Sequence, residues 1–142
     1  SVKLCGVEIP FHKSLAGHSD ADVALHALTD AILGALALGD IGLHFPDSDM
    51  KWKEADSAIF LNWSMEQVKK RNLELSNIDL TIICEKPKIN VYREQLEQNL
   101  SEICGLGHER INVKATTTER LGFIGREEGI ASICSILLNE IS

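Results

Sequence analysis

Apolar positions along the chain change period several times, and each change marks an element. In KLCGVEIP the alternation is loose and broken by a glycine, which predicts a short strand or hairpin arm running into the loop FHKSLAGHS. From Ser19 the period becomes helical: Leu25, Leu28, Ile32 and Leu36 recur at helical spacing until Gly39 stops the run. Ser19 reads as the N-cap, and Asp22 completes a capping-box pattern and places negative charge in the first turn, where the helix dipole favours it. DIGLHFPDSDMKWKEAD has no period and many acids, so it reads as an irregular loop. Asp56 or Ser57 then caps a second helix, with Ala58, Leu61, Met65 and Val68 on one face. NIDLTIICEKPKIN is a strand entering a Lys-Pro-Lys loop, and Tyr92, Leu96, Leu100 and Ile103 mark a third helix that ends near Gly105. In RINVKATTT, Ile111, Val113 and Ala115 alternate with Asn112, Lys114 and Thr116, as a strand requires. GIASICSILLNEI is the last apolar strand. Strands alternating with helices over a short chain predict an α/β (α+β) two-layer sandwich, a mixed β-sheet with helices on one face, in one domain over residues 1–142.

Composition narrows this picture. With 44% hydrophobic and 25% charged residues among 142, the chain suits one ordinary domain with a single core. A net charge of -7 argues against general affinity for nucleic acid or for an anionic membrane. An anionic small ligand would therefore need a local site of Lys, Arg, backbone N–H groups or metal ions. Cys5, Cys84, Cys104 and Cys134 form no C-x-x-C pair and read as reduced, mostly buried thiols of a reducing compartment. No apolar run reaches the ~18 residues of a membrane span, and no signal peptide is expected.

Several constellations could carry chemistry. Asp22, His26 and Asp30, at i, i+4 and i+8, form a polar stripe on an apolar helix. A histidine with a carboxylate one turn away suits metal ligation, because the carboxylate fixes the tautomer; a hydrogen-bonded core histidine explains the stripe equally. His18 and Ser19 stand at a helix mouth suited to phosphate, although Ser19 is also explained by capping alone. ATTTERLGFIGREEG concentrates hydroxyls, the Glu119 carboxylate and the Arg126 guanidinium between Thr116 and Arg126. Three threonines are ordinary strand material, whereas the acid and the arginine can hold a hard cation and a diphosphate. CEKPKIN places Lys86 and Lys88 around Pro87, which fits either a base-reading loop or a solvated basic one. FPDSD is a solvated acidic loop or meets sugar hydroxyls. Neither G-x-G-x-x-G nor a Walker motif occurs. His12, His44 and His108 are read as surface residues.

Taken together, HSDADVALHALTDAILGALALGDIGLHFPDSD, TIICEKPKI and NVKATTTERLGFIGREEGIA resemble the 2-C-methyl-D-erythritol 2,4-cyclodiphosphate synthases of the non-mevalonate isoprenoid route, in motif order and spacing over nearly the whole chain. The resemblance implies a lyase that converts 4-diphosphocytidyl-2-C-methyl-D-erythritol 2-phosphate to the cyclic diphosphate and releases CMP. It implies a homotrimer with interfacial active sites, each with Zn²⁺ or another divalent transition metal and with Mg²⁺ or Mn²⁺. His26 is then a zinc ligand, Glu119 a ligand of the Mg²⁺ or Mn²⁺ between the α- and β-phosphates, and His18 and Thr117 the transition-state stabilisers. His18, Ser19, Asp40, Ile41, Gly42, Phe45, Pro46, Asp47, Ser48 and Asp49 would hold the methylerythritol phosphate end. Cys84, Glu85, Lys86, Pro87, Lys88, Ile89 and Asn90 would embrace cytidine, and Thr116, Thr117, Thr118 and Glu119 the diphosphate. Phe123 and Arg126 match further contact positions, Arg126 lying near a central channel that can hold an isoprenoid diphosphate. A bacterial cytoplasm or a plastid-type organelle fits, with neither nucleic acid nor membrane as a partner.

The family's other zinc ligands come from an Asp-x-His motif ahead of the first hairpin, and no Asp-x-His occurs here. The expectation is that a preceding segment is missing, and that this 142-residue form binds zinc weakly and turns over poorly. Two other readings stay open: a cytidine-nucleotide or isoprenoid-diphosphate binding trimer without catalysis, and a metal-dependent phosphohydrolase.

Overall fold

The structure, a computed structural model, describes residues 1–14, 21–52 and 55–142. Strands β1 (Val2–Leu4) and β2 (Val7–Ile9) pair antiparallel as a hairpin. Cys5 and Gly6 turn it at positive φ, and Asn99 donates its amide to the Cys5 carbonyl. Helix α1 (Val23–Ala35) follows. Its N-cap is Asp22 and not the expected Ser19, which lies outside the described residues. The cause is local. Ala21 is at φ +58 and Asp22 is extended, so the helix starts only after them. The fully buried Asp22 carboxylate accepts three backbone N–H groups: Leu25 in the first turn of the helix at 3.0 Å, and Cys5 at 3.0 Å and Gly6 at 2.7 Å in the hairpin turn. One side chain thereby caps the helix and fastens the hairpin to it.

The acidic segment after α1 is more ordered than its sequence suggests. Asp40 caps a single turn, α2 (Ile41–His44), and a 3₁₀ turn spans Met50–Trp52. Phe45 packs between them against Trp52, Phe60 and Trp63 with ring centroids 4.7–5.3 Å apart. Helix α3 (Ser57–Lys70) is capped by Asp56, as the sequence allowed. Strand β3 (Leu73–Ile83) begins four residues before NIDL. A register shift between Leu75 and Asn77 breaks its alternation and hides its first half from a period-two reading. Helix α4 (Arg93–Cys104) buries Leu96 and Leu100 and ends on Gly105 at φ +63, the left-handed cap the glycine predicts. Strand β4 (Ile111–Thr116), the single turn α5 (Gly122–Gly125) and strand β5 (Ala131–Glu140) complete the described chain.

The sheet order is β4-β3-β5, with β4 parallel and β5 antiparallel to β3. Its inner face carries Leu75, Ile78, Leu80, Ile82, Ile111 and Val113, all buried in one core with Leu25, Leu28 and Ile32 of α1 and Leu61 and Val68 of α3. Truncating a residue such as Leu28, fully buried here, costs about 2–5 kcal/mol. The outer face carries Asp79 paired to Lys114 at 2.9 Å, and Ile133 and Leu137, which stand 62% and 60% exposed. The expected mixed sheet with helices on one face is therefore the architecture found. The outer edge of β4 is closed by α4: buried Glu97 accepts the Val113 N–H at 2.9 Å while Arg93 donates to the Val113 carbonyl at 3.0 Å. Those two side chains stand where a further strand would pair.

Candidate active site

Because β3 and β4 run parallel in register, Ile83 opposite Thr116, the loops that leave them emerge side by side at the same end of the sheet. Carboxyl ends of parallel strands are where such sheets bind ligands. The Cys84 N–H donates to the Thr116 carbonyl at 3.0 Å, which carries the pairing one step past the strands. Beyond it the Lys86–Pro87 peptide is cis, and a 3₁₀ turn follows at Ile89–Val91. A cavity of about 160 Å³ lies between the loops, walled by Cys84, Glu85, Pro87, Lys88, Ile89 and Asn90 on one side and by Ala115, Thr116 and Thr117 on the other. It is smaller than the roughly 300 Å³ that encloses a whole drug-sized ligand, and suits a fragment such as a planar base.

Chemistry at the cavity is sharply divided between structural and free groups. The buried Cys84 thiol points at the Pro87 carbonyl at 3.6 Å. Burial, with Glu85 adding to it and Lys88 opposing, raises its pKa to about 11, so it is a neutral wall and not a nucleophile. Glu85 turns its carboxylate to the neighbouring loop, where Oε2 accepts the Thr118 N–H at 2.9 Å. Lys86 borders a different hollow, beside Lys13, Glu127 and Glu128. Of the expected Cys84–Asn90 set, then, Glu85 presents its carboxylate to protein and Lys86 lies outside the cavity.

The threonine run ends in a tight turn. Leu121 N–H donates to the Thr118 carbonyl at 3.0 Å, and the two residues between, Glu119 and Arg120, are at φ +55 and +65. Neither is glycine, so the turn costs on the order of 1–2 kcal/mol per residue and must be held from outside. Thr118 Oγ donates to the Leu121 carbonyl at 2.7 Å. Gly125 packs so close that a Cβ there would stand 2.1 Å from the Arg120 carbonyl carbon. The turn presents the exposed Glu119 carboxylate, which makes no hydrogen bond or ion pair with described residues. It also presents Thr117, whose Oγ accepts the Glu119 N–H at 3.2 Å and so keeps its own proton for a ligand. Phe123 is 56% exposed, and Arg126 is held by Glu128 at 2.8 Å.

Each of Asp22, His26 and Asp30 has a partner in the fold. Asp22 caps the helix, and Asp30 accepts the Ile41 N–H at 2.9 Å and so anchors α2. His26 is half-buried, and its Nε2 shares a 2.7 Å hydrogen bond with Ser57 Oγ, a fully buried hydroxyl of α3. Nothing in the sequence marks Ser57 for this place, since it reads there only as an alternative cap. Among the described residues no group of three His, Cys, Asp or Glu side chains converges as a metal shell. His18, with Ser19, lies outside the described residues.

In the 40–49 segment Gly42, Asp47, Ser48 and Asp49 are exposed, and Ile41 and Pro46 are half-buried. Asp40 caps α2 and Asp49 accepts the Lys51 N–H at 3.0 Å. The Phe45 ring is taken by the aromatic cluster and offers a ligand only its backbone. His44 is not the surface residue expected: it meets the Leu38 carbonyl at 2.6 Å and stacks on Trp63 at 4.7 Å. His12 and His108 are exposed as expected.

Comparison with known proteins adds a second line. The YgbB family profile matches residues 1–139. The chain is 57% identical over 137 residues to 2-C-methyl-D-erythritol 2,4-cyclodiphosphate synthase of Cereibacter sphaeroides, covering 96% of this chain and 86% of that one. It is 56% identical over 134 residues to the bifunctional enzyme IspD/IspF of Bartonella bacilliformis, covering 94% of this chain and 34% of the longer protein. Among solved structures, the bifunctional IspDF of Campylobacter jejuni superposes with a TM-score of 0.94 at 46% identity, over 99% of this chain and 38% of that one. The IspF of Plasmodium falciparum in complex with CDP superposes with a TM-score of 0.89 at 35% identity, over 99% and 85%.

Proposed function

The chain belongs to the YgbB family, and from that premise we propose that it is a lyase of isoprenoid biosynthesis that cyclises 4-diphosphocytidyl-2-C-methyl-D-erythritol 2-phosphate to 2-C-methyl-D-erythritol 2,4-cyclodiphosphate and releases CMP. The observation that carries this reading is the cavity between two parallel-strand loops, one rim of which presents a hydroxyl with its proton unclaimed and a carboxylate without a partner among the described residues. The cavity walls of the 84–90 loop take the cytosine ring, with backbone groups reading its edge and Lys88 beside the phosphates. The 116–119 turn takes the diphosphate: Thr117 donates its hydroxyl proton to an equatorial oxygen of the β-phosphate.

In the reaction a 2-phosphate oxygen attacks the β-phosphorus, the bond to the CMP oxygen breaks, and CMP leaves as the anion. Two anions must approach, so the chain's task is to orient the groups and to take up charge, more than to supply a strong base. Family membership fits a divalent cation. Glu119 fits a hard one such as Mg²⁺ or Mn²⁺, which is commonly held by one carboxylate together with substrate phosphates, and such an ion would neutralise the diphosphate. His26 is proposed as a ligand of a zinc-like ion, although the described residues do not complete its shell and no step is drawn through it. His18 and Ser19, with the 40–49 loop, are proposed to hold the methylerythritol phosphate end. We further propose a homotrimer with the site shared between subunits, supported by the exposed Ile133 and Leu137 on the outer sheet face.

The test is incubation of the 1–142 chain with the cytidyl substrate, with Mg²⁺, Mn²⁺ or Zn²⁺ added in turn, followed by phosphorus NMR. Cyclic diphosphate and CMP in equal amounts are expected, formed slowly, in keeping with the weak zinc binding expected of the 142-residue form. Linear phosphates would indicate a phosphohydrolase, and no product with tight CMP binding a non-catalytic binding protein; either result overturns the proposal.

A further inference from the structure

The 84–90 loop and the 116–121 turn are separate in sequence, yet one side chain joins them beyond the strand ends. Glu85 Oε2 accepts the Thr118 N–H at 2.9 Å and lies 3.5 Å from Thr118 Oγ. The hydroxyl has a single proton, and its 2.7 Å bond to the Leu121 carbonyl claims it, so the contact with Glu85 that matters is the backbone N–H. Thr118 is the first residue of the turn that holds Glu119 and Arg120 at positive φ. A strained turn persists only when its surroundings fix it. Its far side is fixed by the close approach at Gly125, and its near side by Glu85. Thr117, which keeps its hydroxyl proton, and Glu119, whose carboxylate has no partner among the described residues, flank the residue that Glu85 holds.

Resting on the functional reading above, we infer that Glu85 is a positioning residue: a strut that sets the 116–119 turn against the nucleotide loop, so that a base seated in the cavity finds Thr117 and Glu119 already aimed at its diphosphate. Glu85 acts through its reach and its acceptor oxygen, and touches neither phosphate nor metal. Its charge is incidental. Misplacement of reacting partners by an ångström costs on the order of a hundredfold in rate, while the cavity walls that hold the base are untouched.

The variants Glu85→Gln, Glu85→Asp and Glu85→Ala separate reach from charge. Gln keeps the length and an acceptor oxygen but loses the charge; Asp keeps the charge but falls one methylene short. The expected result is that Glu85→Ala and Glu85→Asp each lower kcat by roughly ten- to a hundredfold with CDP affinity within about threefold of the parent, whereas Glu85→Gln recovers most of kcat. The opposite order, with Asp active and Gln inactive, would mean that the carboxylate works by charge and overturns the strut. Loss of CDP affinity in step with kcat would overturn it too, by placing Glu85 among the groups that bind the nucleotide. Amide exchange at Thr118 is read in parallel and needs no turnover. It should quicken about tenfold in Ala and Asp and stay near the parent in Gln; unchanged exchange in all three overturns the inference. A parent chain that forms no cyclic diphosphate would instead sink the functional reading, with the exchange order still deciding the strut.

Discussion

At the scale of single residues, the described acids divide by what they touch. Asp22, Asp30, Asp40, Asp49, Asp56 and Glu85 hold backbone N–H groups, whereas Glu119 faces outward with no partner among described residues. Sequence spacing puts Asp22, His26 and Asp30 at i, i+4 and i+8, but Asp22 is the extended, fully buried cap ahead of the helix, and Asp30 is exposed. Their roles are not legible there, because Cys5, Gly6 and Ile41, which the two acids serve, are distant in sequence. The thiols give a pH prediction. Burial raises Cys84 to about 11 and Cys104 and Cys134 to about 12, and Cys5 well above its usual value. An acid whose pKa is raised by folding is protonated in both states below its unfolded pKa, near 8.5–9, and there its full contribution to stability is present. As pH rises further, the unfolded chain ionises first and gains. Stability attributable to the thiols should therefore fall progressively from about pH 9 towards 11–12, and iodoacetamide at pH 8 should label the native chain at least tenfold more slowly than the urea-unfolded one. Equal labelling of native and unfolded chains would show that the thiols are not shielded.

At the scale of elements, the alternation of Ile111, Val113 and Ala115 with Asn112, Lys114 and Thr116 gave the faces of β4, and Gly105 gave the end of α4, since both features are local. The ordered α2 and 3₁₀ turns were not visible in an acidic stretch, because what orders them is an aromatic cluster assembled from α3 and the segment itself. In LGFIGR the second glycine, Gly125, gives room to the Arg120 backbone, a role set by tertiary packing that the sequence does not show, and Arg126 is held by Glu128. Gly125→Ala puts a methyl 2.1 Å from a backbone carbon, which no rotamer relieves, so the 118–121 turn must move. The expected outcome is a loss of roughly 1–3 kcal/mol of stability together with a fall in kcat of tenfold or more. Denaturant melts and turnover measured on the same preparation check both. Unchanged turnover would mean that the turn's position does not matter to the chemistry.

At the scale of the whole molecule, the mixed sheet with one helical face was legible because the strand and helix periods differ, whereas the proposed trimer comes from resemblance. The sheet's outer face supplies the physical ground for it. Ile133, Ser135 and Leu137 share the face of β5 that no described helix covers, and a sheet face of this kind is expected to be buried in an oligomer. Leu137→Asp, which buries a charge if that face is an interface, should convert a particle of three times the 15.7 kDa chain mass into a single chain in light scattering, without unfolding it. A trimer that survives the substitution would place the interface elsewhere. The loops leaving β3 and β4 are proposed to form the nucleotide–diphosphate site together. Hydrogen-exchange mass spectrometry with CDP and Mg²⁺ tests it most directly. Protection concentrated in peptides covering 84–90 and 115–121 is the predicted result, and protection that spares both while appearing elsewhere on the chain would contradict it.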